Sequence, residues 1–219
     1  MEHILPQILL MLATVVFAPA VFLHLTHKNS SAVALYILQS AAIACLLVLA
    51  TFEQFSPLLA LAILSTIAVK LVIAPYFFFR LIRHHQLRFS VSTYLNAPLT
   101  LAVIAMLVAL VQTDFFKPLV RLAPSGQTPL LITSIATILI SMFLMINRKG
   151  ALSQMLGILS LENGIVAFAL FAGLEQNPAL QLGITFNILI WIVIASLFAA
   201  MIFRQHGSLD VTTMKELHD

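Results

Sequence analysis

Seven apolar runs separated by short polar connectors leave this chain little alternative to crossing a membrane repeatedly. They cover about residues 4–26, 31–52, 57–79, 97–113, 129–146, 151–173 and 178–203. A bilayer-spanning helix needs about 20 residues to cross roughly 30 Å of hydrocarbon. Isolated strands cannot satisfy their backbone groups in lipid, so the runs are read as helices. The second, third and sixth are clear spans, and the fourth and fifth are short. With 61% apolar and 9% charged residues, the chain is far from an ordinary globular domain, which is about a quarter charged. The expected fold class is an all-α integral membrane protein of about seven transmembrane helices.

Seven crossings place the connectors alternately on two sides. Lys28, Arg80, Arg83, Arg88, Arg148, Lys149, Arg204 and Lys215 fall on one side, and only Lys117 and Arg121 on the other. The positive-inside rule makes the first side cytoplasmic, with the N-terminus outside and the C-terminus inside. That bias also explains the net charge of +3, so nucleic-acid binding is excluded. Ser56-Pro57, Thr128-Pro129 and Asn177-Pro178 each put a capping side chain before a proline suited to a first helical turn. They open the third, fifth and seventh runs, all on the outer side. The first run has a rival reading as a signal peptide, with Ala18-Pro19-Ala20 as a small-residue cleavage site. Against it stand Glu2, the lack of a positive start and an apolar run longer than usual.

Of the 11 basic and 8 acidic side chains, only Lys70 and Glu162 lie inside apolar runs. A charge at the centre of a membrane helix costs about 2.5–3.5 kcal/mol on the insertion scale. At 1.5 Å per residue, both lie near the bilayer midplane, so they are candidates to pair directly or through water. Such a pair reads either as a proton relay or as a static contact that fixes helix register. Asn163 and Gly164 follow Glu162, the first able to donate and accept, the second permitting close helix approach or a local break. Pro75 removes a ladder hydrogen bond five residues after Lys70 and predicts a kink there. Thr185 and Asn187 add polarity to the seventh run, and Gln39, Ser40 and Gln154 are further polar positions. Single Ser and Thr residues in such helices usually bond their own backbone and carry no functional weight.

Arg80, Arg83, His84 and Arg88 follow helical spacing after the third run. They read as an interfacial helix end that snorkels its arginines to lipid phosphates, or as a docking strip for a cytoplasmic partner. There is no His-Glu-x-x-His, Gly-x-Ser-x-Gly, P-loop or Cys-x-x-Cys pattern. The seven histidines fall at ends or connectors, and Cys45 is the single cysteine. Neither a metal site, a cofactor, a disulfide nor a catalytic set is expected, so the chain is read as a non-enzyme.

The run Gly157–Gly164, reading Gly-Ile-Leu-Ser-Leu-Glu-Asn-Gly, resembles a stretch of component E of hydrogenase-4, of the formate hydrogenlyase-2 type. The tail from His206 to Val211 and the spacing of Lys70 to Pro75 are similar to the same family. The last three spans of that family resemble the small K-type membrane component of respiratory complex I and the small C component of Mrp-type antiporters. The resemblance implies a three-helix K-like module at 129–219 with a cytoplasmic tail. Ahead of it come an outer connector at 114–128 and a four-helix half at 1–113 carrying the basic segment 80–95. It implies a non-catalytic subunit of a complex-I-like assembly in a bacterial or archaeal cytoplasmic membrane. Its partners would be antiporter-like subunits and a peripheral hydrogenase or redox arm. Two positions depart from the pattern. The first buried glutamate of the K-type pattern corresponds to Leu159, one turn before Glu162, and the second acid falls near Asn187, where this chain has none.

The function expected is therefore proton or Na⁺ translocation coupled to a partner module, with Glu162, Lys70, Asn163 and Asn187 as the path. The alternatives are a structural adaptor whose buried charges only fix packing, and a free-standing seven-helix transporter.

Overall fold

Each long apolar run folds as a helix. The computed structural model describes residues 4–51, 56–84, 93–124, 126–174 and 177–206. Helices α1 (Ile4–Leu25) and α2 (Asn29–Thr51) are followed by α3 (Pro57–Ile67). A π-helical segment, Ala68–Ile73, carries α3 directly into α4 (Ala74–His84). Then come α5 (Ala97–Val111), a 3-10 turn at Asp114–Phe116, the short α6 (Lys117–Val120), α7 (Thr128–Asn147), α8 (Ala151–Phe171) and α9 (Pro178–His206). Among the described residues six helices are long and apolar enough to cross a membrane, with α3 and α4 forming one rod of 28 residues. A seventh crossing requires the bent pair, α5 with Asp114–Val120 at 55°, to act as one span. Alone, the 15 residues of α5 reach only about 22 Å at 1.5 Å per residue. The fifth run is longer than its sequence suggested, because α7 takes in Thr128 and Asn147 to make 20 residues.

Contacts at both ends of α5 support that crossing. At its start, Asn147 at the end of α7 accepts from the Leu95 amide at 3.0 Å and donates to Thr100 Oγ1 at 3.1 Å. Past its other end, Val111 and Phe116 pack with Leu130 and Leu131 at the start of α7. Helices α5 and α7 are therefore antiparallel and share both ends of the bundle.

The end opposite the α7 start is tied together by Arg148, which is 2% exposed. Its Nη2 donates to the carbonyls of Leu23, His24 and Thr26 at 2.7–2.8 Å. The first two are carbonyls of the last turn of α1, which have no partner within their own helix, and Thr26 follows directly after it. A basic connector residue, counted from sequence only toward the charge bias of one side, is thus an internal cap. Burial lowers its pKa from the ordinary value, yet a guanidinium stays protonated in proteins. Gln154 Nε2 closes the turn by donating to the Arg148 carbonyl at 2.9 Å.

Helix starts follow the capping chemistry in part. Ser56 Oγ accepts from the Leu59 amide at 3.1 Å, and Asn177 Oδ1 from that of Ala179 at 3.0 Å. Thr128 does not cap α7: Gln127 holds the cap position without a side-chain bond, and Thr128 is already helical. Conversely, Asn96 caps α5, accepting from Leu99 at 3.0 Å with Pro98 in the first turn. Because α5 starts at the Arg148 end, the Asx/Ser-plus-proline start is not confined to one face of the bundle.

Helix α8 runs unbroken through Gly164, so no local break occurs there. The glycine instead serves close approach to α7. A Cβ on it would lie 3.0 Å from Ile138 Cγ1 and 3.2 Å from the Ile138 backbone nitrogen. Seven residues earlier, a Cβ on Gly157 would meet Met145 Cγ at 2.7 Å. Between them Ser160 and Ser141 share a hydrogen bond of 2.8 Å. Small residues at a membrane helix interface bring backbones together and make van der Waals packing the main attraction. Gly164→Val is expected to destabilise the protein by about 1–3 kcal/mol through overpacking against backbone. Gly157→Ala should cost less, because a flexible methionine side chain can move. Thermal unfolding in mild detergent measures both, and equal losses would contradict this account.

Candidate functional site

Lys70 sits in the π-helical segment, and Pro75 explains that segment locally. A proline has no N–H, so the ladder bond it would have made in the turn before is missing. Just ahead of it, the Ala74 amide bonds the Val69 carbonyl, five residues back. The expected kink thus takes the form of a widened turn around Lys70 within a continuous rod. Single π turns inside α-helices recur at functional sites.

The Lys70 side chain is 2% exposed. Its Nζ forms an ion pair with Glu162 Oε2 and donates to Asn163 Oδ1 at 2.7 Å. The Asn163 amide in turn donates to Ser40 Oγ at 3.1 Å and Gln39 Oε1 at 3.3 Å. Gln39 Nε2 donates to the Val16 carbonyl at 2.9 Å. One network therefore joins α1, α2, the α3–α4 rod and α8 at the core of the bundle. Glu162 Oε1 is buried and takes no donor among the described residues. The Tyr36 hydroxyl, one turn from Ser40 on α2, is buried beside the Ser40 hydroxyl. Buried polar atoms are normally satisfied by protein or ordered water, so Glu162 Oε1 marks a place suited to water.

A second polar group lies between α3 and α9. Thr66 Oγ1 and Thr185 Oγ1 share a hydrogen bond of 2.8 Å, and Gln181 Nε2 donates to Thr66 Oγ1 at 3.2 Å. All three side chains are buried. Thr66 is one turn before Lys70 on the same helix.

Of the residues singled out from sequence, Lys70, Glu162 and Asn163 meet. Asn187 does not join them. It is exposed on the outer face of α9, because residues two apart on a helix point to nearly opposite sides and Thr185 takes the inward one. Arg80 and Arg83 are exposed at the end of α4. Arg80 and His84 border an open groove of about 310 Å³ between α4 and α9, walled by Phe77, Leu81 and Leu197. Arg88 lies outside the described residues. His24 is buried, its Nε2 3.1 Å from the Ile140 carbonyl and its ring stacked on Phe143.

Sequence reasoning assigned no role to Thr66 and gave Ser40 and Thr185 no weight. Their signal was spacing: Thr66 stands four residues before Lys70, and Gln181 four before Thr185. An ammonium and a carboxylate in direct contact, flanked by amides and hydroxyls, set a proton donor and a proton acceptor side by side. That is the chemistry this arrangement makes available.

Comparison with known proteins supplies the context. Residues 129–219 match the family model of NADH-ubiquinone/plastoquinone oxidoreductase chain 4L. Hydrogenase-4 component E of Escherichia coli is 24% identical over 123 residues, 56% of this chain and 57% of that protein. The Shigella flexneri component E matches to the same extent. An uncharacterized protein of Mycobacterium tuberculosis is 29% identical over 103 residues, 47% of either chain. The matched region thus spans about half the length of these curated relatives. No solved structure matches. With its long apolar helices, this likeness makes the protein a multi-pass membrane protein. Over residues 129–219 it is similar to the NADH-ubiquinone/plastoquinone oxidoreductase chain 4L family, and over about half its length it is a weak homologue of hydrogenase-4 component E.

Proposed function

We propose that this chain is a non-catalytic subunit of a complex-I-like membrane assembly and that it relays protons or Na⁺ through the Lys70–Glu162 pair. The observation that carries the reading is the buried pair itself, held by Asn163 and shared among helices from both ends of the sequence. A buried ion pair is weak support for stability, since desolvation offsets much of its attraction. Intramembrane charges are retained mainly where charge must move or be stabilised. The K-like module is 129–219, and the four-helix half 1–113 adds the lysine. The basic end, with Arg80, Arg83 and Arg148, faces the cytoplasm, and the exposed arginines of α4 dock a partner there. Asn187 joins the path only where a partner subunit brings a polar group to the outer face of α9.

A specific observation also favours the adaptor reading: the network ties four helices together and would fix their register even without ion movement. Partner identity is tested by isolating the tagged chain in mild detergent and identifying what co-purifies by mass spectrometry. Antiporter-like subunits are expected, with or without a hydrogenase arm. Recovery of a functional, partnerless protein would overturn the subunit reading.

A further inference from the structure

The seam between the α3–α4 rod and α9 is polar on one side of Lys70 and apolar on the other. Counting from the helix starts at 1.5 Å per residue, Gln181 lies about 4–5 Å deep, Thr185 about 10 Å, Thr66 about 14 Å and Lys70 about 20 Å. Polar side chains therefore step inward from the end where α3 and α9 begin until they reach the ammonium. Beyond Lys70 the inner face of the seam is apolar, with Ala74, Phe78 and Leu81 in one buried cluster with Ile188, Ile192 and Ala199, and Leu81 also walls the groove that Arg80 and His84 border at its far end.

Backbone bonding alone does not account for the polar half. Thr66 Oγ1 lies 2.9 Å from the Ala62 carbonyl and Thr185 Oγ1 2.9 Å from that of Gln181; with one hydrogen each, one hydroxyl donates to its own helix and the other to its partner across the seam. The contact between the two hydroxyls and the Gln181 amide at Thr66 are additional. They place three buried polar side chains in one file where apolar packing would otherwise seal the seam. Buried hydroxyls and amides are the groups to which internal water bonds.

We infer that this file is a one-sided, hydrated access path that connects the buried pair with the membrane face where α3 and α9 begin. Water occupies the turn between Thr66 and Lys70, and protons reach the pair from that face only. The inference rests on the relay reading of the pair and adds its direction of access.

The test is cysteine labelling of the full chain in its native membrane, in a Cys45→Ser background because Cys45 is exposed. Thr66→Cys, Thr185→Cys and Gln181→Cys are compared with Ile192→Cys on the apolar half. A membrane-impermeant trimethylammonium methanethiosulfonate is applied to each face separately. Only a hydrated thiol ionises readily, so the three polar-seam thiols should react at least about tenfold faster than Ile192→Cys. They should do so only from the face where α3 and α9 begin. Equal, slow reaction at all four sites, or faster reaction from the opposite face, overturns the inference. If Thr66→Cys does not assemble, Thr185→Cys and Gln181→Cys decide it. A Glu162→Gln variant run in parallel separates the two readings. Labelling with unchanged ion translocation in Glu162→Gln means that the path is open while the relay reading fails. No labelling with translocation lost in Glu162→Gln means that the relay stands and access lies elsewhere.

Discussion

Glu162→Gln is expected to lower ion translocation by roughly a hundredfold, the low end of what a positioned proton-transfer group contributes, while assembly with partners persists. Glutamine keeps the volume of the side chain and a carbonyl oxygen to accept from Lys70 Nζ. It cannot take up or release a proton near neutral pH. The hydrogen bond from Lys70 to Asn163 remains, so the four-helix network keeps its anchor. Translocation is read as ion-gradient formation by the intact complex in inverted membrane vesicles, with co-purification of partners as the control for assembly. An unchanged gradient from an assembled complex would leave the adaptor reading as the better one.

The second large effect concerns stability. Glu162→Ala leaves a buried ammonium with only Asn163 for company, and breaking one partner out of a buried pair costs about 3–5 kcal/mol. Lys70→Met leaves a carboxylate whose side chain is 17% exposed, against 2% for the lysine, so it should cost less. The double variant Lys70→Met with Glu162→Leu removes both charges, and replacing a buried pair by apolar groups is often neutral or stabilising. It should therefore regain most of the stability lost in Glu162→Ala. Thermal unfolding of the four proteins in the same detergent measures the cycle. A double variant no more stable than Glu162→Ala would mean that the two side chains do not act as a pair.

Those two experiments address different things. The first asks whether the carboxylate carries a proton; the second asks whether the network is held by charge or by shape. A pair whose removal spares stability but stops translocation is kept for movement of charge. A pair whose removal unfolds the bundle and leaves surviving activity intact is kept for register.

Much of the architecture was legible in residues alone. The lengths of the apolar runs marked the helices, and Lys70 and Glu162 stood out because nothing else charged lies inside a run. Depth counting placed both at a similar depth and made them candidates to pair, and they are in contact. Asn163 was legible as a neighbour able to donate and accept. Legibility failed where a residue's role depends on which helix lies opposite. Arg148 reads as a connector charge and is a buried cap on α1, because the ends of α1 and α7 meet. Gly164 reads equally well as a hinge or a close contact, and only the position of Ile138 decides for contact. Asn187 and Thr185 read as one polar patch, yet helical geometry sends them to opposite faces.

The sequence by itself determined that the chain is a bundle of long apolar helices with one charge of each sign inside the apolar runs, because hydrophobic length and the cost of burying charge are local properties. Tertiary structure decided which polar groups meet. The joining of Lys70 to Asn163, of Asn163 to Ser40 and Gln39, and of Thr66 to Thr185 and Gln181 depends on helix rotation and neighbour choice. In apolar surroundings many rotations bury similar area. The choice among them falls to close packing at small residues and to the pairing of a few buried polar atoms.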